Sequence, residues 1–305
     1  DSARNRSVFL AINEICAGLQ IATFYAAMSK FSTFETRDAS RPNRITLSEE
    51  LIAKSMTKVS VRGIELHYED LGAGAPIVLL GGTLGTAYGD FSKQLSAFSD
   101  DFRVIAPERR GYGGSRPPLR DYPDDFYQRD ADDMAAMLDC LGVAGATIVG
   151  WSEGAAVALC LAATRPELVA RLIFWGGVSA VDDEDIASFE ARRDVASWPP
   201  KVCAALTEIY GPDYWGDTWG QWCDVMGRLH AAGGAVGIPP LEQIACPSLV
   251  LHGAKDPLIK ARHAEAFQRQ IAGAEYLVFE DAGHNPHLTH SDEFNRLVRD
   301  FIARS

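Results

Sequence analysis

Gly150-Trp151-Ser152-Glu153-Gly154 lies between the apolar run Ala146 to Val149 and the alanine-rich stretch Ala155 to Ala163, and its reading decides the fold. The apolar run reads as a buried strand and the alanine-rich stretch as a helix, so the pentapeptide is a strand-to-helix turn with a serine at its apex. Side chains flanking so sharp a turn would collide with neighbouring backbone, which requires the small residues at its ends. The strain lifts the serine oxygen to the end of the sheet. The amides opening the helix point at the same spot, where they can stabilise a negative oxygen formed when a carbonyl is attacked. The pattern predicts Ser152 as a nucleophile and the backbone amide of Glu153 as half of an oxyanion hole.

Two further strand ends supply its partners. The strand Ser248 to His252 runs into Gly253-Ala254-Lys255-Asp256-Pro257, and the strand Glu275 to Phe279 into Asp281-Ala282-Gly283-His284. Asp256 before proline also suits simple turn initiation, and His284 alone could be a loop histidine. Jointly, the order Ser152, Asp256, His284, each leaving the C-terminal end of a strand, is that of an α/β-hydrolase and of no other serine-triad fold. His287 and His290 are read as surface or pocket-rim histidines. No cysteine or carboxylate cluster at ligand spacing accompanies the three, so no metal is assigned and no cofactor is required. The loop Gly81-Gly82-Thr83-Leu84-Gly85, following another strand, suits a second oxyanion amide, from Thr83, better than a phosphate cradle. The loop Arg110-Gly111-Tyr112-Gly113-Gly114-Ser115 reads as structural support beneath the site.

The chain has 305 residues, 47% hydrophobic and 23% charged, which suits one large globular domain or one domain with an insertion. A net charge of −12 argues against nucleic acid and anionic membrane surfaces and mildly favours cationic ligands. The six cysteines show no paired spacing, and Cys140, Cys160 and Cys246 fall in apolar surroundings typical of reduced, buried thiols, so a reducing, cytoplasmic compartment is expected. No apolar run reaches the roughly 18 residues of a membrane span. The nearest, Val8 to Met28, is broken by Asn13, Glu14 and Gln20 and reads as an amphipathic helix, with Arg4 and Arg6 giving a faint organelle-targeting flavour. The expected partner is a small-molecule ester, on a monomer or small homo-oligomer.

Residues 1–55 show no strand-turn-helix rhythm and read as an appendage, with the functional domain over 56–305. From Lys58 onward a hairpin turning at Gly63 leads into apolar strands at Pro76–Leu80, Phe102–Ala106, Ala146–Gly150, Val169–Trp175, Ser248–His252 and Glu275–Phe279. Helical stretches near Phe91–Phe98, Phe126–Leu141, Glu153–Ala163, Ala261–Ile271 and Asp292–Ala303 alternate with them, which predicts a mostly parallel, eight-stranded sheet covered on both faces. The rhythm breaks over about 178–245, where short helical segments carrying Trp198, Trp215, Trp219 and Trp222 predict a cap above the nucleophile. Most of these tryptophans should form the cap's own core, with one or two facing the pocket.

From about Val59 to the C-terminus the chain resembles the biphenyl hydrolase-like group of α/β-hydrolases, the valacyclovir hydrolase group. The strings that carry this are Arg110-Gly-Tyr-Gly with Ser115-Arg-Pro-Pro, Gly150-Trp-Ser-Glu-Gly, Trp175-Gly, Asp183-Glu-Asp, His252-Gly-x-Lys-Asp-Pro-Leu and Gly283-His-Asn. The resemblance implies hydrolysis of α-amino-acid esters, with the acid after the nucleophile, an aspartate in the group and Glu153 here, holding the substrate's ammonium. The chain departs from the group at Gly81, where proline is usual, and at Thr83, where methionine is.

Overall fold

A computed structural model of the protein describes residues 57–304 and two short antiparallel strands, Phe34–Glu35 and Arg44–Ile45. The helix expected over Val8 to Met28 lies outside the described residues. Eight strands form one sheet: β1 (Lys58–Val61), β2 (Ile64–Leu71), β3 (Pro76–Leu80), β4 (Arg103–Pro107), β5 (Ala146–Trp151), β6 (Val169–Trp175), β7 (Ser248–Gly253) and β8 (Glu275–Phe279). Their order is β1-β2-β4-β3-β5-β6-β7-β8. The hairpin β1–β2 and the pair β2–β4 are antiparallel, and every pairing from β4 to β8 is parallel.

Parallel strands need crossovers, and the crossover helices cover both faces, which is why β3, β5 and β7 are continuous apolar runs rather than alternating ones. The period of two is still visible in which layer each residue joins. Ile77 and Leu79 pack with Phe91, Leu95 and Phe98 of α1 (Ala87–Phe98) and with Phe294, Val298 and Phe301 of α9 (Ser291–Arg304). Val78 and Leu80 pack on the opposite layer, with α2 (Phe126–Cys140), α3 (Glu153–Thr164) and α7 (Ala261–Gln270). Between them, α3 is buried at every position from Glu153 to Ala163, so its small side chains let it lie close against the sheet.

The largest departure from the expected elements is at α1. It begins at Thr86, whose side chain accepts from the Gly89 amide, and Phe91 interrupts it with a non-helical φ of −126° and ψ of 22°. The apolar periodicity resumes only past that kink, and only that part is legible as a helix. Between β6 and β7 the chain forms α4 (Asp183–Glu190), α5 (Pro200–Tyr210) and α6 (Tyr214–Ala231), where a helical cap is expected. Among the described cysteines all are free thiols, and the expected burial is corrected at two of them: Cys140 is exposed, because it ends α2 on the solvent side, and Cys246 is half-buried. Cys160 is buried on α3, and burial pushes its thiol up to about 12. Among the described residues no helix is long and apolar enough to cross a membrane.

Candidate active site

Strand β5 ends at Trp151, and Ser152 turns the chain into α3 with φ 56° and ψ −120°. A non-glycine residue pays for such a conformation, and it persists only where the surroundings over-determine it. Two close approaches do so here. A Cβ added at Gly150 would meet the Gly154 carbonyl at 2.6 Å, and one at Gly154 would overlap the carbonyls of Leu80 and Gly81. The Ser152 amide donates to the Trp175 carbonyl of β6 at 2.9 Å, which ties the turn to the neighbouring strand.

The loops after β7 and β8 meet beside this turn. The Lys255 amide donates to the Ala282 carbonyl at 2.9 Å, so the two loops are bonded to each other. Asp256 Oδ2 lies 2.7 Å from His284 Nδ1, and Oδ1 accepts from the amides of Leu258 and Ile259 at 2.9 and 3.0 Å. One carboxylate oxygen of Asp256 builds the turn and the other faces the histidine. Burial raises the carboxyl's pKa, but the hydrogen bond and charge of His284 and the two amides outweigh it, leaving Asp256 below its ordinary value. Asp256 is 2% exposed and His284 15%. Because Nδ1 is engaged, the ring's free nitrogen is Nε2. Trp151 Nε1 donates to the His284 carbonyl at 3.0 Å, linking the serine turn to the histidine loop.

A cavity reaches Ser152. Thr83, Tyr127, Glu153, Gly176, Val178, Trp219, Trp222, Leu258 and Ile259 line it, so of the cap tryptophans two face it. Trp219 and Trp222 are stacked, with centroids 4.9 Å apart and planes 11° from parallel. Trp215 belongs to a small core with Tyr210, and Trp198 bridges that core to Trp219, whose ring centroid lies 5.1 Å from its own. Glu153 opens α3, so its amide has no intrahelical acceptor. Among the described residues the Thr83 amide also has none.

One expectation needs correction. His287 is neither surface nor rim: carried on the short α8 (Pro286–Thr289), it is fully buried, with its ring 4.8 Å from Trp151, 4.9 Å from Trp175 and 5.5 Å from Phe91. Burial first, and positive charge on His284 second, hold it down at about 3, so it is a neutral core residue. Its polar character hid a position that belongs to the aromatic layer between α1 and α9.

The carboxylate of Glu153, expected to face a substrate ammonium, is turned to the protein's own cations. Its side chain is 0% exposed, Oε2 accepts from Arg109 Nη2 at 2.8 Å and Tyr112 OH at 2.9 Å, and Arg120 Nη2 stands 3.5 Å from Oε1. Asp130 completes the cluster, 3.3 Å from Arg109 and 2.8 Å from Arg120. Two guanidiniums thus meet two carboxylates. Tyr112 stays neutral, since burial and then Glu153 raise its pKa well above the ordinary value. Arg109 is 44 residues from Glu153 in sequence, and the only hint of it was the doubled arginine after β4. The Arg110–Ser115 loop does support the site, through Tyr112.

The alpha/beta hydrolase family model matches residues 74–297. Serine hydrolase BPHL of Homo sapiens is 38% identical over 248 residues, covering 80% of this chain and 85% of that protein. A 2-hydroxymuconate semialdehyde hydrolase of Pseudomonas sp. (strain CF600) is 28% identical, over 81% of this chain and 94% of that one. Among solved structures, a meta-cleavage product hydrolase from Pseudomonas fluorescens IP01 superposes with a TM-score of 0.67, covering 82% of this chain and 98% of that chain at 22% identity, a likeness of fold alone.

Proposed function

The chain belongs to the alpha/beta hydrolase family, and from that premise we propose that it is a serine hydrolase that cleaves small carboxylic esters through an acyl-enzyme. The observation that carries this reading is the 2.7 Å contact of His284 Nδ1 with Asp256 beside a serine held at positive φ. Ser152 Oγ attacks the ester carbonyl while His284 Nε2 takes its proton, and Asp256 orients the imidazole and stabilises its charged form. The oxyanion rests on the amides of Thr83 and Glu153. Collapse of the adduct expels the alcohol, which takes the proton back from His284. Water activated by the same nitrogen then releases the acid and restores Ser152. Ser152→Ala should keep the fold, since it removes one oxygen from a preformed turn, and should lower kcat/KM by at least about 10³-fold. Near-normal ester hydrolysis by this variant would refute the assignment.

For the acyl group there are two readings. The resemblance to amino-acid ester hydrolases favours an ammonium beside Glu153. The pairing of that carboxylate with Arg109 favours an uncharged acyl chain, because an ammonium would have to displace a buried guanidinium from its 2.8 Å partner and leave it only the longer 3.3 Å ion pair with Asp130. The rest of the wall, from Tyr127 to Ile259, is apolar or aromatic. We take uncharged, apolar acyl chains as the substrate class. Comparing an α-amino ester with its desamino analogue tests this: a higher kcat/KM for the amino ester would return the choice to aminoacyl esters.

A further inference from the structure

Arg109 is 2% exposed, and its contacts join both halves of the oxyanion site. Its Nη2 donates to the Gly82 carbonyl at 2.7 Å and to Glu153 Oε2 at 2.8 Å, with the Gly81 carbonyl at 3.1 Å sharing the same hydrogens. The Gly82 carbonyl and the Thr83 N–H belong to one peptide unit. That unit is trans and planar, so the two groups point in opposite directions, and a donor gripping the oxygen on one side sets where the N–H points on the other. Donation to the carbonyl also polarises the peptide and strengthens its N–H as a donor. From the far side of the loop, Asp90 Oδ2 accepts the Gly82 amide at 2.9 Å. The same Nη2 holds the side chain of Glu153, the residue whose own amide is the second oxyanion donor.

We infer that Arg109 is a positioning residue for the oxyanion hole, a buried strut that fixes the Thr83 amide against the Glu153 amide, and that the acid after the nucleophile serves as its counter-ion. This rests on the hydrolase reading above. It accounts for an acid standing beside a serine that must develop negative charge. The carboxylate is spent on a guanidinium, and the cluster of Arg109, Arg120, Glu153 and Asp130 is neutral as a whole.

The test uses the full chain and an uncharged ester, with kcat, KM, Tm and the Ki of a trifluoromethyl ketone that adds to the serine as a tetrahedral oxyanion. Arg109→Met alone leaves Glu153 short of a partner and should lower Tm. The double variant Arg109→Met/Glu153→Gln removes both charges and should recover most of that Tm. In the double variant kcat should stay down by about 10- to 100-fold with KM within about threefold, and the ketone's Ki should rise by the same factor as kcat falls. Arg120→Met removes a guanidinium of the same cluster that touches neither Gly81 nor Gly82, and should cost Tm without a matching rise in Ki. Recovery of kcat in the double variant, a fall in kcat with Ki unmoved, or an equal rise in Ki for Arg120→Met would each overturn the strut. Failure of the hydrolase reading looks different: the unmodified protein would not turn over esters, or ketone binding would survive Ser152→Ala, before any arginine is changed.

Discussion

At the scale of single residues, two neighbours three positions apart show how context assigns roles. His284 has one nitrogen on Asp256 and the other free, whereas His287 is enclosed by rings. His284→Ala should abolish most turnover. His287→Ala should instead open a cavity costing about 2–4 kcal/mol, measured by denaturant unfolding, with kcat in the folded protein changed only a few-fold. His287 also makes stability depend on pH with a definite sign. Its folded pKa of about 3 lies below the ordinary 6.5, so the unfolded chain binds the proton more readily than the folded one. The stability is therefore complete above about pH 6.5 and is lost as pH falls, by about 1.4 kcal/mol per unit until about pH 3. His287→Phe should flatten that part of the slope, and an unchanged slope would contradict its burial as a neutral ring. Glu153→Gln should destabilise by about 3–5 kcal/mol, since it leaves Arg109 against a neutral amide. Its effect on kcat/KM should be the same for α-amino and desamino esters, while a loss confined to the amino ester would place the carboxylate against substrate.

At the scale of elements, α6 matters most for what enters the site. Its helical face brings Trp219 and Trp222 to the same wall, three residues apart and stacked. Trp222 is also in edge contact with Phe189 of α4, at 4.9 Å, so the wall is braced within the cap. Trp222→Ala should enlarge the acyl side of the pocket and shift the preferred acyl chain to longer members of a p-nitrophenyl ester series. The fall in kcat/KM for the shortest ester should be about 10-fold, in line with the loss of apolar contact. A parallel fall across the whole series would mean that the ring supports the cap rather than selects the substrate.

On the scale of the whole molecule, the packed layers begin at β1 and end with α9, and the family match spans 74–297. A fragment of residues 56–305 keeps every strand of the sheet and the helices packed on it, and should therefore fold and keep kcat/KM within about twofold of the full chain. Circular dichroism and ester turnover on the two proteins check this. Insolubility of the fragment would show that the preceding segment covers part of the domain.

Much of the fold was legible because each strand from β3 to β8 is a short, largely apolar run, and the elbow, the aspartate and the histidine all follow such runs closely. The order of Ser152, Asp256 and His284 is a property of the chain, and the glycines beside Ser152 announce a turn that only small residues can make. Local patterns could not say which residues converge from distant positions. Arg109 reaches Glu153 only because β4 and β5 flank β3, so the loops at their ends share one edge of the sheet. His287 looks polar in sequence and is apolar by position, and Cys140 looks apolar and lies outside. Sequence determined the elements and the elbow, whose causes are local sterics and periodicity. Only the tertiary structure decided the partner of each buried charge, because pairing depends on distances across the sheet that no local pattern encodes.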